Sequence, residues 1–440
     1  MRKFDYNKLL MPCILAVFVV VSLMFSVVYV INNKDDIKIA EKQNSENNAD
    51  THVTADEEDF SSLGISKVSA PSNAVENEEP NVSKVSFVAV GDNIVHSTVL
   101  ADAKKLAEGT GKDYNFVPMF ENIQEYISSA DIAYINQESP IAGEDRGYSG
   151  YPMFNAPDRV IYDLMEVGFD VFNIANNHML DRHSSGYKRT VEFMNSIEDI
   201  TMIGGYTDEE DFNNYRIIEK DGIKIALLAY TYGTNGINPD PASKMVIPLC
   251  DEGSNDVIDR QTKEARELAD IVIVSIHWGN EHWFTPSWLQ EQQMEIMVNN
   301  NVDVILGSHP HVLEPMFWKD RPDGERTLVV YSLSNILSGM NYMRNHLGGI
   351  VGFDIVKAGD EAYVGNASFI PTVCHFNGSV REFKLYELSD YTEEMLRKHG
   401  TQLRGTDTYR TMDYLYGIVK DTVPNEFLPE DFYDNEGMTE

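Results

Sequence analysis

Cysteine is scarce in this 440-residue chain, which contains only Cys13, Cys250 and Cys374. A disulfide-stapled scaffold carries many more cysteines over a much shorter length, so that class of protein is excluded. Cys13 lies in an apolar N-terminal segment. Whether Cys250 and Cys374 pair is left open by the sequence, and we interpret both as free thiols.

Basic residues are also few, since 35 Lys and Arg stand against 70 Asp and Glu, for a formal net charge of -35. A protein that binds nucleic acid needs basic surface to neutralise phosphates, so we predict no nucleic-acid partner. The same excess of negative charge disfavours an anionic membrane surface as the main partner.

One long apolar run occupies residues 9–31 and contains no charged residue. It is long enough to cross a hydrocarbon core of about 30 Å as a helix. Basic residues precede it within residues 1–8, whereas Asp35 and Asp36 follow it, so residues 1–8 are predicted to be a cytoplasmic tail. The run exceeds the apolar core of a typical cleavable signal peptide, which is the alternative. We therefore predict a single-pass anchor in the cell membrane, with the C-terminal domain extracytoplasmic.

Composition divides the rest of the chain. Residues 32–83 are rich in Asn, Ser, Asp and Glu with hardly an aromatic, which predicts a disordered acidic linker. From Lys84 onward, strand patterns alternate with helical patterns, and we assign residues 84–380 to one domain. Residues 381–440, with an acidic end, are interpreted as a peripheral C-terminal extension.

Five polar signatures each follow an apolar run that has the length and composition of a buried strand. Ligands of open α/β sheets bind at the C-terminal ends of the strands, so the signatures predict one shared site. The signatures are Gly91-Asp92-Asn93-Ile94-Val95-His96, Asn136-Gln137-Glu138, Asn176-Asn177-His178-Met179-Leu180-Asp181, His277-Trp278-Gly279-Asn280-Glu281 and Gly307-Ser308-His309-Pro310-His311.

Imidazole, carboxylate and amide groups from these signatures are the donors that two borderline divalent cations need, and Mn, Zn and Fe all accept such a mixture. Glu138 is the carboxylate that can bridge the two ions. Such a pair activates a water molecule and stabilises both oxygens of a phosphoryl displacement. The candidate metal ligands are Asp92, His96, Glu138, Asn177, His277, His309 and His311.

The remaining polar residues suggest roles beside the metals. His178 can protonate a leaving group, and Asp181, one turn later, can orient its ring. Asn235, in a glycine-containing loop after a strand pattern, and Glu281 are candidate substrate-binding residues. An ordinary turn at Asn235 and a solvent-facing role for Glu281 remain equal alternatives.

Four further segments have the pattern of strands, namely residues 223–230, 327–333, 349–356 and 363–370. The last three follow the histidine pair without a long helix between them. This balance favours a mixed sandwich of two sheets, face to face, with helices outside.

These segments resemble the CapA family of bacterial poly-γ-glutamate capsule synthesis proteins, a branch of the calcineurin-like metallophosphatases. The resemblance covers roughly residues 85–380, in order and at similar spacing. The segments that carry it are Gly91-Asp92…His96, Asn136-Gln137-Glu138-Ser139-Pro140, Ala175-Asn176-Asn177-His178…Asp181, His277-Trp278-Gly279…Glu281, Gly307-Ser308-His309-Pro310-His311 and Ser332-Leu333-Ser334-Asn335.

The resemblance implies a four-layer α/β/β/α sandwich, a membrane-anchored extracytoplasmic domain, and a part in making or exporting an anionic envelope polymer together with other capsule synthesis proteins. It implies His178 as the general acid. The ligands of one metal would be Asp92, His96, Glu138 and His311. Those of the other would be Glu138, Asn177, His277 and His309.

Three positions depart from the wider metallophosphatase pattern. Three residues separate Asp92 from His96 where one is usual, Glu138 replaces an aspartate, and Ser334 replaces a glycine. The first two departures bear on occupancy of the first metal site more than on the fold.

Two classes of function remain open at this point. One is a dinuclear metal hydrolase that acts on a phosphoester-like bond in the cell envelope. The other is a non-catalytic scaffold that organises synthesis or export of a capsule polymer. Both complete ligand sets favour the first, and the association of the family with capsule assembly favours the second.

Overall fold

The computed structural model describes residues 82–379, 381–401, 411–430 and 432. The predicted cytoplasmic tail, the anchor at 9–31 and nearly all of the predicted linker lie outside the described residues. Within the described ranges, no helix combines the length and the apolar character that a bilayer crossing requires.

Fourteen strands of the described chain form two sheets, one of eight strands and one of six. They are β1 (Val82–Asn93), β2 (Ile132–Gln137), β3 (Val171–Asn173), β4 (Thr201–Ile203), β5 (Arg216–Lys220), β6 (Ile223–Thr231), β7 (Ile271–His277), β8 (Val304–Ser308), β9 (Leu313–Asp320), β10 (Arg326–Leu333), β11 (Asn335–Leu337), β12 (Leu347–Ala358), β13 (Glu361–His375) and β14 (Lys384–Glu387).

The larger sheet has the strand order β14-β13-β12-β1-β2-β3-β4, with β11 paired to β1. Strands β1 to β4 run parallel, whereas β12, β13 and β14 are antiparallel to their neighbours. In the smaller sheet the order is β5-β6-β7-β8-β10-β9, with a parallel centre from β6 to β10 and antiparallel edge strands. Each sheet is therefore mixed, as expected.

Helices connect consecutive parallel strands of each sheet, as such crossovers require. The helices of the described chain are α1 (Ser97–Leu106), α2 (Val117–Phe120), α3 (Gln124–Ser128), α4 (Arg159–Val167), α5 (His183–Asn195), α6 (Glu209–Phe212), α7 (Asn255–Leu268), α8 (Trp288–Asn299), α9 (Glu393–Lys398) and α10 (Met412–Thr422), with 3-10 turns at Glu144–Arg146, Met343–His346 and Asn425–Phe427. Of these, α6, α9 and α10 do not connect parallel strands of one sheet.

The buried apolar side chains form three layers. Residues such as Phe87 of the larger sheet and Ile273 of the smaller sheet meet in a layer between the two sheets. On the outer face of the larger sheet, α1 and α4 pack against the strands through Val99 and Leu164. On the outer face of the smaller sheet, α8 packs through Met297. The prediction of a mixed α/β sandwich with two sheets is confirmed.

Local hydrogen bonds set the bounds of these helices. A turn in which Ile123 N–H donates to Phe120 C=O separates α2 from α3. The backbone of Asp158, before α4, is already helical, and its carboxylate accepts from the Arg189 guanidinium. Gly168 ends α4 with a φ of 123°, in the region that favours glycine after a helix.

The residues after 380 are more integrated than a peripheral extension. Strand β14 adds to the edge of the larger sheet through β13. In α10, Leu415 and Val419 are fully buried within the layer between the sheets. The apolar residues of α10 recur at helical spacing, which gives the helix one apolar face to bury. The acidic end of the segment dominates its composition, so composition alone does not show this face.

Candidate metal centre

The C-terminal ends of strands from both sheets meet at one place, as the five signatures predict. Asp92 lies near the end of β1, and Glu138 directly follows β2 in the same sheet. His277 ends β7 of the smaller sheet, and His311 follows β8. Side-chain contacts join these four residues across the two sheets.

Close backbone packing holds Asp92 in place. A Cβ on Gly91 would lie 1.9 Å from the carbonyl oxygen of Ser334, so only glycine permits this approach. The Asp92 N–H donates to the same carbonyl at 2.9 Å. The side-chain amide of Asn136 donates to Asp92 Oδ1 at 2.7 Å. The other carboxylate oxygen is thereby directed toward the histidine turn after β8.

His311 contacts both carboxylates of the centre. Its Nδ1 lies 3.0 Å from Asp92 Oδ2 and 2.9 Å from Asn335 Oδ1, while its Nε2 lies 3.7 Å from Glu138 Oε1. Burial lowers the pKa of His311, but the carboxylates of Glu138 and Asp92 outweigh burial and raise the pKa to about 9. One potential ligand atom from each of Asp92, Glu138 and His311 lies within 4.8 Å of the other two.

Glu138 is the centre of the donor set. Three imidazole Nε2 atoms surround its Oε1, at 3.9 Å from His178, 4.0 Å from His277 and 3.7 Å from His311. The residue is 1 % exposed, and neither of its carboxylate oxygens has a hydrogen-bond partner. Burial and the neighbouring Asp92 carboxylate raise the pKa of Glu138 well above its usual range.

His277 is oriented by hydrogen-bonding groups on both ring nitrogens. Its Nδ1 lies 2.8 Å from Ser308 Oγ, and its Nε2 lies 3.1 Å from Asn177 Oδ1. Full burial lowers the pKa of His277 well below its usual range, so the ring is neutral, as metal coordination requires. Asn177 and His277, predicted as ligands of one metal, therefore lie together.

His309 lies beside His277 in a strained backbone position. Its φ of 96° belongs to the left-handed region, which a non-glycine residue rarely adopts. The ring centroid is 4.8 Å from that of His277 and 4.4 Å from that of Tyr232. Burial lowers the pKa of His309, and its buried Nδ1 has no hydrogen-bond partner. Strain at a turn that presents ligands is typical of functional sites.

His96, the remaining predicted ligand, has a protein partner on one ring nitrogen. Its Nδ1 accepts the backbone N–H of Gly339 at 3.1 Å, and its ring packs edge-on against Phe154. Burial lowers the pKa of His96 to about 3, and the nearby His311 and His178 rings lower it further. His96 therefore lies within electrostatic reach of the donor set, and its role as a ligand stays a prediction.

The predicted proton donor has a defined orientation. Nδ1 of His178 lies 2.8 Å from Asp181 Oδ2, which also accepts the backbone N–H of Phe154 at 2.7 Å. Because a carboxylate only accepts, this contact places a proton on Nδ1 and turns Nε2 toward Glu138. The Phe154 ring packs edge-on against the imidazole, with centroids 4.7 Å apart.

The two candidate substrate-binding residues border the centre. Asn235 has a φ of 51°, its Oδ1 accepts from Asn177 Nδ2 at 3.3 Å, and its Nδ2 lies 3.4 Å from His178 Nδ1. The Glu281 side chain is 51 % exposed. One carboxylate oxygen of Glu281 nevertheless falls within 4.8 Å of ligand atoms of His309 and His311.

Several residues that position the site were not singled out from the sequence. Asn136, Ser308 and Asn335 hold Asp92, His277 and His311 respectively. All three lie within the polar segments quoted above. Their side-chain amides and hydroxyl could therefore have identified them as hydrogen-bonding partners of the ligands. Tyr232, whose ring contacts that of His309, had the weaker signal of lying in the same loop as Asn235.

A cavity of about 570 Å³ opens beside the centre, and Tyr232 belongs to its wall. Trp283 and Trp288 line it with indoles that are 57 % and 60 % exposed, whereas Trp278 is buried and donates its indole N–H to the Tyr331 carbonyl oxygen at 2.9 Å. The cavity gives a substrate room next to the donor set.

The donor set fits a bound divalent cation. A fully buried carboxylate without hydrogen bonds is very unfavourable unless a cation or a proton compensates it. Glu138 is such a carboxylate, and the buried Nδ1 of His309 is a second atom without a partner. Imidazole, carboxylate and amide donors together suit the first-row divalent metals.

A family profile and two related proteins agree on the family that this chain resembles. The profile of the bacterial capsule synthesis protein family PGA_cap matches residues 86–340. The chain is 27 % identical over 287 residues to "Capsule biosynthesis protein CapA" of Bacillus anthracis, covering 62 % of this chain but only 64 % of that protein. It is 27 % identical over 312 residues to "PGA biosynthesis protein CapA" of Bacillus subtilis, covering 68 % of this chain and 74 % of that protein.

Solved structures with a related arrangement include a phosphatase from Mycoplasma pneumoniae, with a TM-score of 0.41, 13 % identity, and coverage of 67 % of this chain and 95 % of that one. The calcineurin-like phosphoesterase YfkN from Bacillus subtilis also has a TM-score of 0.41 and 13 % identity, with coverage of 79 % and 98 %. Since the family profile spans more than half of the sequence, the chain belongs to the bacterial capsule synthesis protein family PGA_cap.

Proposed function

We propose that this protein acts in the synthesis or export of a capsule or related envelope polymer, and that its metal centre hydrolyses a phosphoester-like bond. Family membership and the two CapA relatives support the role in capsule synthesis. The hydrolytic part rests on one observation, the buried Glu138 carboxylate whose two oxygens lack hydrogen bonds among three imidazoles.

The residues present would hold two divalent cations of Mn, Zn or Fe. Asp92, Glu138 and His311 would bind one ion, and Glu138, Asn177, His277 and His309 the other. Such a pair supplies Lewis acidity and lowers the pKa of a water molecule at neutral pH. The neutral rings of His277 and His309 need lose no proton before binding metal.

The chain itself supplies the proton for the leaving group. Asp181 fixes His178 so that its Nε2 faces the donor set, 3.9 Å from Glu138 Oε1. Protonated at Nε2, the ring can donate to a leaving oxygen seated beside the carboxylate. Asn235 accepts a hydrogen bond from Asn177 and lies beside His178, so it borders both the proton donor and the second ligand set.

Replacement of His178 tests the hydrolytic part. His178→Ala is expected to retain its metal and its fold but to lose roughly 10²- to 10⁴-fold in phosphoesterase rate, the usual contribution of a positioned general acid. The loss should shrink for a substrate whose leaving group is acidic enough to depart unprotonated. Initial rates on an alkyl and a nitrophenyl phosphoester measure this difference, and His375→Ala, remote from the donor set, is the control.

The outcome separates enzyme from scaffold. A His178→Ala protein that hydrolyses at the full rate removes this residue from the mechanism. If His178→Ala leaves polymer production in cells intact while His277→Ala impairs it at equal protein level, the non-catalytic scaffold is supported. Equal loss of polymer from both variants contradicts a purely structural account.

The proposal includes the location of the domain. Residues 9–31 would anchor the chain in the cell membrane, and residues 32–83 would tether an extracytoplasmic domain near other capsule synthesis proteins and their anionic polymer. Protease added to intact cells should cut the tether and release a stable domain, detected by immunoblot with a cytoplasmic protein as control. Protection of the domain until the cells are lysed would reverse the orientation.

A further inference from the structure

We propose that Glu281 is a metal ligand that acts together with His309 and His311. Neither the predicted ligand sets nor the family comparison assigns it this role, and the sequence suggested substrate binding instead. One carboxylate oxygen of Glu281 and one nitrogen from each histidine lie within 4.8 Å of one another. This inference rests on the proposed metal-dependent function.

The backbone around Glu281 is fastened to the histidine turn. The N–H of the next residue, His282, donates to the Pro310 carbonyl oxygen at 2.7 Å, between the two histidines. Asn345 spans the same two segments, because its Nδ2 donates to the His311 carbonyl oxygen at 2.8 Å and lies 3.1 Å from His282 Nδ1. These hydrogen bonds fix the backbone next to Glu281 against the histidine turn, which brings its side chain within reach of both rings.

The surroundings of the carboxylate suit coordination. His309 offers a buried Nδ1 that has no hydrogen-bond partner. The Glu281 side chain is half-exposed, so it can approach a cation from the open side of the centre without the full cost of burying its charge. Its nearest ion-pair partner is the neighbouring His282, at 3.9 Å, which leaves the carboxylate without a strong competing cation.

The charge and the number of donors favour a further carboxylate. Two divalent cations carry four positive charges, whereas Asp92 and Glu138 supply only two negative ones among the predicted ligands. His96 has its Nδ1 occupied by the Gly339 N–H, so one ring nitrogen is left to offer. Glu281 provides an anionic oxygen donor, of the type that Mn and Fe accept readily.

The test compares two isosteric substitutions in the full-length protein. Glu281→Gln removes the anionic donor, and Glu252→Gln removes an exposed carboxylate from the wall of the neighbouring cavity. Affinity for Mn²⁺ alone is measured by competition with a chelator, and bound metal is counted by elemental analysis. We expect Glu281→Gln to weaken one Mn²⁺ site by at least about tenfold, since changing even a residue that only supports a ligand costs 10- to 100-fold. Glu252→Gln should not change either site.

Equal Mn²⁺ affinities for wild type, Glu281→Gln and Glu252→Gln would overturn the inference. A raised KM for Glu281→Gln at unchanged metal affinity would do the same and return the residue to substrate binding. A selective loss of Mn²⁺ affinity in Glu281→Gln, combined with no phosphoesterase turnover by the wild-type protein, would support the ligand role while rejecting the proposed hydrolysis. The two proposals therefore fail separately.

Discussion

Histidines cluster in two groups within the described residues, and the group around Glu138 is the candidate metal centre. In the second group, the ring centroids of His346 and His375 lie 5.0 and 5.2 Å from that of His399. This spacing is close to the 4.8 Å between His277 and His309 in the metal centre. Ring density alone therefore does not distinguish the two groups.

Hydrogen bonding distinguishes them. Both ring nitrogens of His399 have protein partners, with Nε2 3.0 Å from the Cys374 carbonyl oxygen and Nδ1 2.9 Å from Thr401 Oγ1. His375 Nδ1 lies 2.6 Å from the Tyr391 hydroxyl oxygen. In the metal centre, by contrast, the Glu138 oxygens and a His309 nitrogen are buried without partners.

The two groups of histidines also differ in their charge. Burial lowers the pKa of His375 to about 4, so this ring is neutral at pH 7. Glu138 and Asp92 outweigh the same effect at His311 and raise its pKa to about 9. The metal centre contains a buried carboxylate, Glu138, whose two oxygens accept no hydrogen bond. The ring contacts described for His375 and His399 in the second group go to hydroxyl and carbonyl oxygens instead.

The largest expected difference is in metal content. The double variant His309→Ala/His311→Ala should lose at least one equivalent of Mn, Zn or Fe, because both predicted ligand sets lose an imidazole. His375→Ala should keep the full amount. Elemental analysis of the purified proteins, with circular dichroism to verify folding, measures the difference.

Either of two results would break this comparison. Unchanged metal content in the folded double variant would reject His309 and His311 as ligands. Loss of an equivalent from His375→Ala would show that the second group also binds metal.

A smaller effect should appear in acid. Because the pKa of His375 is lowered on folding, the unfolded chain takes up a proton more readily as pH falls below about 6.5. Its contribution to stability is therefore complete above that pH and is lost toward pH 4. The ring is partly exposed, so we expect roughly 1 to 2 kcal/mol.

Urea unfolding of metal-free protein at pH 7 and 4.5 measures this contribution. The drop in the free energy of unfolding should be smaller in His375→Gln than in wild type by that amount. The exposed His183→Gln variant should match wild type. An identical drop in all three proteins would show that the second group does not titrate on unfolding.

Much of the architecture and of the site was readable from the sequence. Apolar runs followed by polar residues located β1, β2, β3, β7 and β8, because strand length and burial leave a strong local signal. The ordering of Glu138, His277 and His311 around one point followed from the rule that parallel strands end at one edge. Cys250 and Cys374 are buried and unpaired, as we interpreted them.

Other features depend on contacts that local patterns do not encode. The Nδ1 of His96 accepts from the Gly339 backbone, 243 positions away in the chain. Ser334 has a φ of 60°, a conformation that glycine adopts more readily, but the sequence does not reveal that its carbonyl lies against Gly91. The hydrogen bond from His282 N–H to the Pro310 carbonyl oxygen, which fastens the segment of Glu281 to the histidine turn, is likewise not encoded locally.

Drawing ligands from both sheets has a consequence for assembly of the protein. Asp92 and His311 touch although they are 219 positions apart, and Asn177 meets His277 across 100 positions. No fragment that lacks either sheet can assemble this donor set, so a cation held by it would require the complete sandwich. Such a cation would link the two halves of the chain much as a cross-link would, and it would favour the folded state more strongly the tighter it binds. Metal uptake would therefore report that both sheets are assembled.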